Sequence, residues 1–125
     1  MSSTILMIAA LMGQSAFSHA VDVPAASKTR DVAYEELASG RAEAALHKLE
    51  ASDAVRERDP AALINLGAAY VAAGRTGDAI VTYRAAIASP DRYDLELGDG
   101  SWMDSRLVAR TALSRLLSAA AQASR

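Results

Sequence analysis

Apolar residues recur at helical spacing along most of the chain. In residues 42–55, for example, Ala45, Leu46 and Leu49 fall on one face, and Glu43 and Lys48 lie elsewhere. A period near 3.6 residues is typical of amphipathic helices. The pattern predicts helices over residues 27–39, 42–55, 60–73 and 77–88, and a last helix over residues 104–121.

The ends of these helices are marked by turn-forming residues. Gly40 and Gly74 each follow a helical pattern, and glycine is the usual residue just past a helix C-terminus. Asp59 and Pro60 form a start signal, with the aspartate as N-cap and the proline in the first turn. The first four helices therefore group into two helical hairpins.

A different pattern separates the fourth helix from the last one. Residues 93–97 alternate apolar and acidic side chains, as a half-buried strand does. The turn-forming residues 98–100 follow, and Trp102 and Met103 begin a return strand. We expect a β-hairpin over residues 92–103, with Tyr93, Leu95 and Trp102 packed against the last helix. Asp104 or Ser105 then caps that helix.

The two helical hairpins repeat each other. Gly40-Arg41 recurs 34 residues later as Gly74-Arg75, and Ala45 recurs at the same spacing as Ala79. A period of this length is typical of repeat architectures. The second copy resembles the tetratricopeptide repeat, whose signature has a large residue, Leu-Gly, Tyr, Ala, an aromatic residue and Pro in this order. The matching positions are Leu63, Leu66, Gly67, Tyr70, Gly74, Ala79, Tyr83, Ala86 and Pro90.

The first copy is degenerate and keeps only Gly40, Ala45 and Leu49. Terminal repeats of a stack often depart from the pattern, because one side faces water. The last helix resembles the first helix of a third repeat that the hairpin displaces. The expected fold is all-α: a short helical-hairpin array of about two and a half repeats (residues 27–58 and 59–90), with the β-hairpin inserted before a capping helix.

The N-terminus has the layout of a secretory signal peptide. Residues 1–20 carry no charged side chain, and the apolar run from Ile5 to Met12 is followed by Ser18-His19-Ala20, with small residues where a signal peptidase cleaves. We expect cleavage after Ala20, an extended lead-in over residues 21–26 and an exported, periplasmic or secreted chain. A membrane anchor and a core helix are the alternatives, although an anchor needs about 20 apolar residues.

Composition excludes several kinds of chemistry. The chain has no cysteine, and removal of the leader would leave His47 as its one histidine, so thiolate catalysis and a histidine-based metal cluster are not expected. The net charge of −2 gives no basic surface for nucleic acid. About a quarter of the residues are alanine, which favours close helix packing. We expect no catalysis and no cofactor.

The resemblance implies a groove, lined by the first helix of each repeat, that binds a protein or peptide. The helix over residues 60–73 is apolar on every side, which is typical of a helix buried on every side. The lead-in, the hairpin, a second copy or a partner would cover it. The expected partner-binding residues are Ile64, Asn65, Ala68, Val71, Ala72, Arg106 and Arg110.

The sequence thus favours a non-catalytic adaptor that binds a partner in the cell envelope, with Ile64 and Val71 as its anchors. One subclass of the family that the chain resembles binds C-terminal carboxylates with a Lys/Asn/Arg set. Asn65 matches one member of that set, and Arg106 with Arg110, one turn apart, resemble another pair; the alternative is that the two arginines pair with Asp104 or with solvent. The alternative function is a self-associating module whose apolar groove is buried in a homodimer, since two and a half repeats leave an exposed end.

Overall fold

A computed structural model describes residues 5–6 and 33–125 of the chain. Within them the fold is mostly helical, with one small sheet. The elements in chain order are β1 (Ile5–Leu6), α1 (Tyr34–Ala38), α2 (Ala42–Glu50), α3 (Asp53–Arg56), α4 (Pro60–Ala72), α5 (Thr76–Ile87), β2 (Asp94–Leu97), β3 (Trp102–Asp104) and α6 (Ser105–Ala123).

The turns that close the two helical hairpins have the same geometry. Gly40 and Gly74 lie in the left-handed region, with φ of 74° and 77°. After each glycine, an arginine N–H donates back to the carbonyl five residues earlier: Arg41 to Glu36 and Arg75 to Tyr70, both at 2.8 Å. These bonds satisfy carbonyls that the helix end leaves free. The Gly-Arg turn that recurs in the sequence therefore recurs in backbone geometry as well.

Most helix boundaries follow the predicted signals. The Asp59 side chain accepts a hydrogen bond from the Ala62 N–H at 3.0 Å and so caps α4. Asp104 caps α6 in the same way, accepting from the Leu107 N–H at 3.1 Å. Both N-cap predictions are confirmed, because a carboxylate three residues ahead satisfies a free N–H of the first turn.

Two boundaries differ from the prediction. The continuous helix expected over residues 42–55 is wrong: it breaks after α2, and the Ser52 side chain caps the separate helix α3 by accepting from the Ala54 N–H at 3.1 Å. Local serine hydrogen bonds compete with helix continuation. The first predicted helix is wrong at Ala33, which lies in the left-handed region with φ of 56°, so α1 begins only at Tyr34. Residues 27–32 of that prediction lie outside the described part of the chain.

Helix α4 is at the centre of the molecule. It contacts α5 along its length, and it also contacts α1, α2, α3, α6 and β1. Its residues 61–70 are all buried, in agreement with its apolar composition. Helix α5 lies between α4 and α6.

The closest approach of α4 and α5 depends on Gly67. A Cβ placed on Gly67 would lie 2.5 Å from Cε1 of the Tyr83 ring, which is far inside van der Waals contact. Tyr83 and Ala79 are fully buried on the facing side of α5. The predicted role of a small residue at this helix crossing is confirmed.

The other residues of the sequence repeat divide into exposed turn residues and buried core residues. The two repeat glycines and Pro90 are at exposed turns, and the remaining large and small apolar residues are in one core. Those core residues are Ala45, Leu49, Leu63, Leu66, Tyr70, Ala79, Tyr83 and Ala86.

The predicted hairpin is present as strands β2 and β3, which pair antiparallel with Glu96 opposite Trp102. Its far edge is occupied as well. Strand β1 pairs in parallel with β2, with Ile5 opposite Glu96 and Leu6 opposite Leu97, so the sheet order is β1-β2-β3. The sequence pattern did not predict this third strand, which lies within the apolar run of the expected leader.

Leu95 of the hairpin is fully buried, and Tyr93 is partly buried against the core, so both side chains pack inward as predicted. The prediction is wrong for Trp102, whose surface is 55% exposed. The reason is the alternation of strand faces: Trp102 lies opposite Glu96, on the face away from Leu95 and Leu97.

Candidate functional site

The predicted groove lies mostly inside the whole chain. Ile64, Asn65 and Ala68 on α4 are fully buried within the chain, which agrees with the expectation that this side of the helix is covered, and they are not open to a partner in this structure. The physical reason is the position of α4, which other elements contact on several sides. A partner reaches this side of the helix only where the chain's own covering is absent.

The remaining groove residues do not form one surface. Val71 is partly buried against the core, and Ala72 is exposed at the end of α4. Arg106 donates from Nη2 to the Ser89 carbonyl oxygen at 3.2 Å, so it ties α6 to the end of the second hairpin. Arg110 is exposed on α6. Asp104, which was expected as an alternative partner of these two arginines, forms its ion pair with Arg92 instead.

The structure instead brings together a site at the outer edge of β2, which we call the β2 edge. Its residues are Glu96 and Leu97, which form register pairs with β1. Leu97 is buried in the core, whereas Glu96 is partly exposed. Because β1 contacts both β2 and α4, the β2 edge and one part of α4 share the same covering strand.

Tyr34 in α1 belongs to this neighbourhood. Burial, and then the nearby carboxylate of Glu96, raise the pKa of the Tyr34 phenol above its usual value. Both effects disfavour the ionised phenolate. Tyr34 is therefore a neutral side chain close to the β2 edge. Helical periodicity could not predict that α1 would place a tyrosine beside this strand.

Hydrogen bonds fix the β-hairpin, and with it the β2 edge, beside the helices. The Tyr93 hydroxyl donates to the carboxylate of Asp59 at the start of α4. The Ser105 N–H donates to the Tyr93 carbonyl at 2.9 Å, and the Tyr93 N–H donates to the Ser105 hydroxyl at 3.2 Å. These bonds tie the hairpin that carries the β2 edge to the starts of α4 and α6.

Charged groups near the hairpin stabilise local structure. The Arg92 guanidinium donates to Asp104 at 2.7 Å, and this hydrogen bond is the main reason that the pKa of the Asp104 carboxyl lies below its ordinary value. Asp99 accepts from the hydroxyl and N–H of Ser101, which lowers its pKa in the same direction. These aspartates cap a helix and order a turn.

A second polar group surrounds Tyr70 at the turn between α4 and α5. Its hydroxyl donates to Glu50 Oε2 at 2.8 Å, and the Arg75 guanidinium lies 4.7 Å from the ring centroid. Arg75 also pairs with Asp78 at 2.8 Å. The group joins α2 to the second hairpin, and each polar atom in it has a structural role.

Across the residues that the structure describes, no group of three or more histidine, aspartate or glutamate side chains is arranged to hold a metal ion. Within the same residues, none of the helices has the length and apolarity needed to span a membrane. Comparison of the chain with protein-family models, with curated proteins and with solved structures finds no match.

Sequence reasoning identified α4 but missed the β2 edge. The signal for β2 was present as its strand alternation, yet the partner strand lies about ninety residues earlier. Long-range parallel pairing has no local sequence marker, since the connection between parallel strands is long and variable.

Proposed function

We propose that this protein is a non-catalytic, exported interaction module: a short array resembling the tetratricopeptide repeat that binds a segment of another protein in the cell envelope. The carrying observation is the pair of similar Gly-Arg turns, 34 residues apart, one between α1 and α2 and the other between the apolar helix α4 and α5. Arrays of stacked helical hairpins present elongated binding surfaces.

The burial of α4 supports the location of the binding surface. This helix is apolar on every side, and β1, which contacts it, lies within the expected leader. Removal of the leader takes that strand away and uncovers apolar surface on α4. An exposed contiguous apolar surface in a soluble protein typically binds a partner.

A self-associating module is the second candidate, because a twin would also cover the uncovered side of α4. The exposed side chains Leu107 and Leu117, both on α6, also support self-association. Light scattering coupled to size exclusion distinguishes the two functions. The adaptor is a monomer at every concentration, whereas the self-associating module dimerises as concentration rises.

Substitution of Val71 tests the adaptor function. The full gene is expressed with a C-terminal tag and the protein is captured from the envelope fraction. Val71→Asp introduces a charge at the partly buried end of the α4 surface. We expect recovery of the bound partner to fall by at least about tenfold, because loss of one interface anchor commonly costs more than 1.4 kcal/mol.

Val81→Asp is the matched control. It makes the same chemical change as Val71→Asp, but at an α5 side chain that is 67% exposed. It should leave partner recovery at the wild-type level. Circular dichroism must show that both variants remain folded. Equal recovery with both variants, or no stoichiometric partner with any of them, would contradict an adaptor that binds through α4.

A further inference from the structure

The outer edge of β2 is a place where the fold accepts an additional strand. Residues Ile5–Leu6 pair there in parallel, with Ile5 opposite Glu96 and Leu6 opposite Leu97. The edge is backed by α4, which contacts the added strand, and it is held in place by the hydrogen bonds of Tyr93. A strand edge that is held by hydrogen bonds and has apolar backing meets the requirements for binding an extended peptide.

The strand that occupies this edge lies in the segment expected to leave on export. It belongs to the apolar run of residues 5–12, upstream of the predicted cleavage position. Loss of the strand leaves the outward backbone N–H and C=O groups of Glu96 without their β-sheet partners, whereas those of Leu97 stay bonded to Ser101 and Gly100 within the hairpin. Such an edge readily pairs with another extended chain.

We propose that the β2 edge is a strand-acceptor site, and that the mature protein binds an extended aliphatic segment of its partner there, in parallel with β2. The inference rests on the proposed function and specifies its binding mode. The leader occupies the site in the newly made chain and so keeps it closed until processing. Main-chain hydrogen bonds supply affinity, and the apolar neighbourhood of Leu97 and α4 selects aliphatic side chains.

The direction of pairing favours a partner over a second copy. A twofold axis that joins two copies of one edge strand makes the strands antiparallel, because each residue contacts its counterpart reciprocally. The strand that this edge accepts runs parallel to β2. A heterologous segment reproduces that arrangement, whereas a symmetric twin does not.

The site can be opened and probed in the full-length chain. Ile5→Pro together with Leu6→Pro removes both N–H groups of the added strand, whichever of them faces β2. A synthetic peptide with the sequence of residues 2–9, SSTILMIA, then competes for the edge. Binding is followed by the fluorescence of Trp102, the chain's single tryptophan, which lies in the same cross-strand row as Glu96 and Ile5.

We expect the peptide to bind the opened variant at least about tenfold more tightly than the wild-type chain, whose edge is occupied for most of the time. The peptide carrying Ile5→Pro and Leu6→Pro is the matched control and should not bind. A cysteine in place of Ile5 in the peptide should form a disulfide with Glu96→Cys in the opened chain, but not with Asp94→Cys. The native chain has no cysteine to interfere.

Several results would overturn the proposal. One is equal affinity for the opened and wild-type chains, and another is equal cross-linking at positions 94 and 96. Unfolding of the opened variant would show that β1 belongs to the core and cannot be removed by processing. A peptide-insensitive dimer would assign the edge to a second copy. None of these tests requires export or the natural partner, so they are separate from the capture experiment with Val71→Asp.

Discussion

Gly67→Ala should lower the free energy of unfolding by about 1–3 kcal/mol, although alanine is the better helix former. The added Cβ would lie 2.5 Å and 2.7 Å from two carbons of the Tyr83 ring. Tyr83 is fully buried and has no solvent side into which to move. Relief of the clash therefore requires separation of α4 and α5. Urea unfolding followed by circular dichroism measures the change.

Gly77→Ala is the control for this substitution. Gly77 lies in the first turn of α5, and nothing is within 4 Å of the place where its Cβ would be. The same chemical change should therefore stabilise the protein by about 0.5–1 kcal/mol, the usual gain when alanine replaces glycine in a helix. Changes of the same sign at both positions would contradict the close crossing at Gly67.

Tyr83→Ala should cost about 3–5 kcal/mol, because it removes a fully buried aromatic ring and leaves a cavity. Tyr83→Phe is the matched variant. The Tyr83 hydroxyl is buried without a hydrogen-bond partner among the described residues, and an unsatisfied buried hydroxyl is itself destabilising. The phenylalanine variant should be at least as stable as wild type. A large loss with Tyr83→Phe would show that the hydroxyl is bonded.

The same tyrosine predicts how stability depends on pH. Burial raises the pKa of Tyr83 far above its ordinary value, so the folded protein keeps its proton when the unfolded chain loses it. Stability from this group is complete below pH 10 and falls above it, by about 1.4 kcal/mol per pH unit. Denaturant titrations at pH 9, 10 and 11 should show a smaller alkaline loss for Tyr83→Phe than for wild type.

Local signals explain why much of the fold was predictable from sequence. Asp59, Gly40 and Gly74 fix helix ends through bonds within a few residues, and each acts as its sequence context predicts. The small residue Gly67 marks the helix crossing because only a small residue fits there. The break before α3 was missed because Ser52 lies within a continuous helical pattern. A serine at such a position caps a new helix only if the chain turns there, and the pattern does not show the turn.

The site was less predictable than the fold. The sequence showed that α4 has more apolar surface than one partner helix can cover. Periodicity does not say which part of the chain, or which other molecule, covers the rest of that surface. Ile64 and Ala68 proved to be internal in the whole chain. The strand that contacts α4 comes from residues 5–6, far away in sequence and within the expected leader, and an expected leader is not normally considered part of a fold.

The mass of the mature protein is the decisive measurement, since both the exported function and the opening of the β2 edge depend on loss of the leader. The full gene is expressed with a C-terminal tag, and protein from the envelope fraction is measured by intact mass spectrometry. We expect a chain that begins at Val21, and Ala20→Tyr should block that processing because a signal peptidase needs a small residue there. A mass that retains Met1 in the exported protein would contradict it.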